Sequence, residues 1–265
     1  MRASRVTRPC LAMALAGCVH WAVTESTMAQ DGRGVEGVWS TTLNAEDHPA
    51  WRIEDHICGR CAPVEYEYLR DLLADSSNSD RTLPELSQEA SQVGAAYERE
   101  LLTDAGRERL QRFQPAEDTA RQCRPPFPHQ LVMNPLPISI EVNDEEVILH
   151  HHIWNTVRTV ALREPPGAAS GESSLYGAAT ARFEGPTLVV ESLNVSAITT
   201  GNVSTVDGIR VVERYTPSLD GSRLDIELTL DDPATYREPR VWHTARVLTP
   251  EVELFEYDPC EGLDE

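Results

Sequence analysis

From Ile138 onward the chain alternates apolar and polar positions in short runs separated by turn residues. The clearest run is 223–230, where Leu224, Ile226, Leu228 and Leu230 share one face and Arg223, Asp225, Glu227 and Thr229 the other. Further strand candidates fall at 138–143, 146–153, 155–162, 177–183, 187–195, 209–216, 241–248 and 252–257, with breaks such as Asn143-Asp144 and Asp220-Gly221. Within 174–195, Glu184-Gly185-Pro186 turns the backbone between two runs and predicts a β-hairpin. Many short strands with tight turns predict a mainly β fold: a meandering antiparallel β-barrel, or a sandwich.

Before residue 123 the period is different. Gly37-Val38-Trp39-Ser40 reads as one short strand, with Trp39 a core residue. Val64, Tyr68, Leu69 and Leu72 suit an amphipathic helix over 63–75, and the polar run 76–80 a loop. A second helix is expected from about Pro84, with Leu86, Ala90, Val93, Tyr97 and Leu101 on one face. Thr103-Asp104 offers an N-cap for a third, ending near Phe113. This helical segment is expected to cap one end of the barrel. Prolines at 125, 126, 128, 135 and 137 then exclude helix and predict a rigid, extended crossing. The expected division is 1–29 signal peptide, 30–122 short strand plus helical segment, and 123–265 antiparallel β-barrel domain.

The first nine residues carry Arg2, Arg5 and Arg8 and no acid, and an apolar run from Cys10 to Val23 follows. That run is too short to span a bilayer as a helix. With small residues before Gln30 it reads as an export signal cleaved after Ala29, placing the mature protein in the periplasm or outside the cell. Leu15-Ala16-Gly17-Cys18 also fits a lipoprotein signal. The apolar run that continues past Cys18 favours cleavage after Ala29 over a lipid anchor there. No later run is apolar enough to cross a membrane.

From Gln30 the chain has 20 basic and 42 acidic residues, a net charge of −22. Such a surface disfavours nucleic acid and anionic membranes as partners. All 23 basic residues of the full chain are arginine. Lysine-dependent chemistry is thereby excluded: no Schiff base, no lysine general base, no P-loop. Genomic base composition suffices to explain the missing lysine.

Four cysteines follow the signal: Cys58, Cys61, Cys123 and Cys260. In an oxidising compartment they read as two disulfides, with three connectivities open. The CxxC of Cys58 and Cys61 precedes a predicted helix, which suits a redox pair. A structural disulfide is favoured, because no strand precedes it in a βαβ pattern. Ala62 excludes haem attachment, and one close cysteine pair falls short of a zinc site.

Several segments, in order, resemble a family of exported bacterial proteins of unknown function with the signature G-R-W-E-G-D-T-L-V-V-D-T. The matching stretch is Arg182-Phe183-Glu184-Gly185-Pro186-Thr187-Leu188-Val189-Val190-Glu191. Leu102-Thr103-Asp104-Ala105-Gly106-Arg107, the cysteine-proline crossing at 123–137, Val212-Glu213-Arg214-Tyr215 and Asp231-Asp232-Pro233 extend the likeness over 100–260. Phe183, Pro186 and Glu191 depart from the signature. The resemblance implies a secreted, mostly β domain and no reaction. It also implies cysteines near 123 and 260, which points to the pairs Cys58–Cys61 and Cys123–Cys260.

The ionisable residues on apolar faces are the functional candidates. Glu191 shares a face with Val189, Leu193 and Val195; Glu213 with Ile209, Val211 and Tyr215; His151 with Val147, Leu149 and Ile153. Arg158 alternates with Trp154, Thr156 and Val160. A buried carboxylate must be paired, so an internal Arg–Glu brace is one outcome and a polar floor to a ligand cavity the other. His150 and His152 share the opposite face, and His243 is the third imidazole a metal would need; a solvated pair with His151 in the core is preferred, and neither metal nor cofactor is expected. Ligand-binding candidates are thus Arg158, Glu191, Glu213 and Tyr215, for a small, largely apolar molecule. The alternatives are a periplasmic isomerase, lyase or hydrolase using His151 with Glu191 or Glu213, and an envelope interaction protein with a solid barrel. The mature N-terminus is expected at Gln30, which the intact mass of the exported protein reads directly; a diacylglyceryl group on Cys18 would mean the lipoprotein route instead.

Overall fold

The structure, a computed structural model, describes residues 33–41, 47–124, 127–163, 172–200, 203–253, 257 and 260. The expected signal segment lies outside them, as do residues 254–256 of the last strand candidate. The alternating runs form β1 (Gly37–Ser40), β2 (Ile138–Val142), β3 (Glu146–His151), β4 (Thr156–Leu162), β5 (Ala178–Glu184) and β6 (Thr187–Val195). After the short pair β7 (Thr199–Thr200) and β8 (Val203–Ser204) come β9 (Ile209–Pro217), β10 (Arg223–Asp231) and β11 (Arg240–Leu248). Nine of these close into one barrel in the order β1-β11-β10-β9-β6-β5-β4-β3-β2, with β7 and β8 a separate two-stranded sheet. The expected meander fails at one junction. β4 and β5 run parallel, registered only at Ala161↔Thr180 and Leu162↔Ala181. The connection from Leu162 to Ala178 is long enough for the crossover that a parallel pair requires. The turn at Gly185 forms as expected, with φ +61 and Glu184 paired to Thr187. The barrel also takes β1 from the segment expected to precede it, between β11 and β2.

Leu224, Ile226, Leu228 and Leu230 of β10 point inward and are fully buried, each contributing about 1.5–3 kcal/mol. The register places them opposite Pro217, Tyr215, Glu213 and Val211 of β9, and opposite Arg246, Thr244, Trp242 and Arg240 of β11. The lumen face of β11 is therefore polar and aromatic.

Helices α2 (Pro63–Ala74) and α3 (Leu83–Leu101) start where the sequence predicts them, and they are preceded by a short helix the sequence did not signal, α1 (Ile53–Ile57), whose N-cap residue Arg52 makes no side-chain cap. Pro63 opens α2, and a Thr82–Glu85 capping box opens α3. The Thr103 hydroxyl accepts from the Gly106 amide at the start of α4 (Asp104–Arg112). Instead of capping the barrel end, α1 and α2 lie against its side. Asp55 of α1 pairs with Arg223, accepts from the Tyr66 hydroxyl at 2.8 Å, and Tyr66 packs against the ring of His243. The C-terminus of α3 and the start of α4 reach the connection between β10 and β11, where the Arg237 amide donates to the Leu101 carbonyl and Gly106 meets the backbone of Thr235.

The expected extended crossing is interrupted by a helical turn, α5 (His129–Val132), between its two proline-rich stretches. This segment lies inside the barrel. Phe127, Leu131, Val132 and Met133 are fully buried in the same core as the strands. His129 stacks on Trp242 at 5.4 Å, and inward-facing Arg246 donates to the carbonyls of Val132, Asn134 and Leu136. Barrel diameter grows with strand number, and in this nine-stranded barrel the turn of backbone takes up part of the interior.

Both expected disulfides are present, Cys58–Cys61 and Cys123–Cys260, with sequence separations of 3 and 137. By loop-closure entropy the second constrains the unfolded chain by about 5 kcal/mol and the first by about 2.

Candidate functional site

Inside the barrel, β4 and β9 present one charged pair. Arg158 donates to both oxygens of Glu213, at 2.9 and 2.7 Å, and the Tyr215 hydroxyl donates to Glu213 Oε2 at 2.7 Å. All three side chains are closed to solvent. The guanidinium lies 4.7 Å from the centroid of Phe127 and 5.7 Å from that of Tyr176, in cation–π range. Burial works against the charge on Arg158, yet the carboxylate beside it wins and holds its pKa above the usual value. Burial, then Glu213, push the Tyr215 phenol well up, so it remains a donor. With three hydrogen bonds accepted, Glu213 is a braced counter-ion rather than a free base.

His151 also faces the lumen and is fully buried. Neither ring nitrogen makes a hydrogen bond of ordinary geometry, although the Leu131 backbone lies beside the ring. Burial, with Arg158 and Arg246 nearby, holds its pKa well below the usual value, so the imidazole is neutral. The expected pair of solvated histidines is corrected in part. His152 is fully buried, because β3 ends at His151 and the alternation stops there. His150 Nε2 lies 3.0 Å from Asn155 Oδ1. His243 sits on the far side of the barrel wall against Tyr66, away from both.

Glu191 is the main correction. It faces outward, opposite Thr180 and Val212, while Glu213 lies opposite Val190 and Leu228. Its carboxylate meets Arg182 at 3.2 Å and Arg210 at 2.8 Å. The apolar residues on its face misled the reading, since outward Val189 is fully buried. Arg182 and Arg214 stand opposite Val189 on the two neighbouring strands, where their aliphatic stems cover it. The structure therefore joins Arg158, Glu213 and Tyr215, with His151 near Arg158, and separates Glu191.

Arg246 escaped notice in the sequence. Burial lowers its pKa to about 10, and three backbone carbonyls replace its hydration. Its alternation with Trp242 and Thr244 is the one signal that pointed to it.

Two clefts are open to solvent, and the smaller one runs from α1 and α2 inward to Met133 and Thr244. One of about 470 Å³ is lined by Arg109, Phe113, Thr199 and Thr205; another of about 270 Å³ by Arg60, Cys61, Glu65 and Met133. Arg158, Glu213 and Tyr215 line neither. Among the described residues, one group of three potential metal-binding side chains converges: Cys58, Cys61 and Glu65, with donor atoms within 4.8 Å of one another. The two sulfurs are joined as a disulfide and offer no thiolate to a metal.

No family model, no curated protein and no solved structure matches the chain.

His129 is pushed down to about 3, first by burial and then by Arg240 and Arg60. A histidine with a depressed folded pKa stabilises the fold above its unfolded value, about 6.5, and that contribution is lost as pH falls. The unfolding free energy should therefore decline between about pH 6.5 and 5, above the main carboxylate range, and His129→Gln should flatten the decline. Urea unfolding midpoints across this window test it; a flat wild-type curve would contradict neutral, buried histidines.

Proposed function

We propose that the protein is an exported interaction protein whose barrel is a scaffold rather than a container. The observation that carries this reading is the occupied lumen. Phe127 and α5 fill the space where a small apolar ligand would sit, and Arg246 holds their backbone at three carbonyls. Glu213 is closed to solvent and taken up by Arg158 and Tyr215, which leaves His151 no carboxylate partner free for proton transfer. Two disulfides suit an oxidising compartment. The acidic surface, −20 over the full chain, favours basic partners.

A barrel used as a container would bind apolar probes with one-to-one stoichiometry. The scaffold reading expects no saturable binding of a medium-chain fatty acid or of 1-anilinonaphthalene-8-sulfonate to the folded protein. It expects Glu213→Gln to lower stability by about 3–5 kcal/mol, as the loss of one partner of a buried ion pair does. Calorimetric titration and denaturant unfolding measure the two. Stoichiometric probe binding that Phe127→Ala strengthens or Arg158→Met abolishes would establish the ligand-binding reading in its place.

A further inference from the structure

The cleft of about 270 Å³ beside α1 and α2 holds chemistry that the barrel does not use. Cys61 lines it, at 8% exposure, while its disulfide partner Cys58 is 1% exposed. Cys61 is therefore the cysteine of the pair that borders the cleft. Glu65, in the first turn of α2, lines the same cleft, and its carboxyl lies within 4.8 Å of both sulfurs.

Three observations argue against a purely structural bond. A loop this short constrains the unfolded chain far less than the 137-residue loop of Cys123–Cys260. Arg60 stands exposed between the cysteines and lines the same cleft, so the mouth carries a cation, the charge that favours a thiolate. Third, α3 makes room for the carboxyl. A Cβ on Gly94 would lie 2.1 Å from Glu65 Oε2, so only glycine lets the group occupy this position unmoved.

We propose that Cys58, Cys61 and Glu65 form a thiol–disulfide exchange site that accepts electrons from a dithiol, with Glu65 as its proton-transferring group. One thiolate of the donor attacks Cys61 Sγ, forming a mixed disulfide. The bond between Cys61 and Cys58 breaks, and its electron pair leaves with Cys58 Sγ, which takes a proton from the Glu65 carboxyl. The second thiolate of the donor then attacks the donor sulfur of the mixed disulfide, closing the donor's own disulfide and releasing the Cys61 thiolate. The donor loses two electrons and the protein gains them as a dithiol. An external disulfide reverses the sequence, with the Glu65 carboxylate accepting the proton. Burial, then Glu98 of α3, raise the Glu65 pKa against the opposing Ala62 amide, the direction that favours proton donation to a leaving thiolate. The other charged or titratable groups lining the cleft are Asp55, His56 and Arg60. This inference is independent of the scaffold reading of the barrel.

The test is reduction of the folded, full-length exported protein by dithiothreitol, followed by alkylation and mass spectrometry, with Cys123–Cys260 as internal reference. Cys58–Cys61 should open at least about tenfold faster than the reference, and Glu65→Gln should slow it by at least about tenfold and remove an inflection from its pH–rate profile. Gly94→Ala favours the helix yet displaces the carboxyl, so it should reproduce the defect even if Glu65→Gln fails to fold. Opening of both disulfides at one rate, or a rate and pH profile unchanged in both variants, would overturn the proposal.

Discussion

The buried pair between Arg158 and Glu213 is the constraint on which the barrel depends. A lone charge in that interior would be costly, and its partner offsets this only with good geometry and further hydrogen bonds. Both conditions hold: the contact is bidentate, Tyr215 supplies a third donor, and Phe127 faces the guanidinium. The position of the pair matters as much as its energy. In the barrel order β4 and β9 are separated by β5 and β6, and the β4–β5 junction is registered at two residue pairs against seven for β5–β6. The ion pair spans the weak parallel junction from the inside.

The same pair explains why the lumen is full. Phe127 packs over Arg158, and α5 then runs past His151 to Trp242 and Arg246 on the opposite wall. Carbonyls of this segment accept from both terminal nitrogens of the Arg246 guanidinium, so the segment and the second buried cation need one another. On the outside, Asp55 and Arg223 form the corresponding tie, fixing α1 and α2 against β10 and β11 and bringing the Cys58–Cys61 cleft to the barrel wall.

Where period and burial agreed, the fold could be read from the sequence. Helices α2 and α3 had opening prolines and apolar stripes, α4 had the Thr103 cap, and β10 alternated cleanly. The inward placement of Glu213, Arg158 and His151 followed from the same alternation. It misled where something other than the lumen buried a face. Val189 lies under arginine stems, so Glu191 looked inward. Val241, Ala245 and Val247 form the apolar face of β11, yet that face looks outward toward the helices, and Arg246 looks in. The parallel β4–β5 contact and α5 depend on long-range packing, for which residues 123–178 carry no local signal.

Native-state hydrogen exchange tests the central claim most directly. The amides of Val132 and Met133 donate to Pro128 and His129 within the lumen segment. If the segment is part of the barrel core, these amides exchange as slowly as those of β9 and β10, opening only with the whole fold. Exchange of Val132 and Met133 at loop-like rates, with β9 and β10 still protected, would mean that the segment leaves an intact barrel, and the account of a closed scaffold would be wrong.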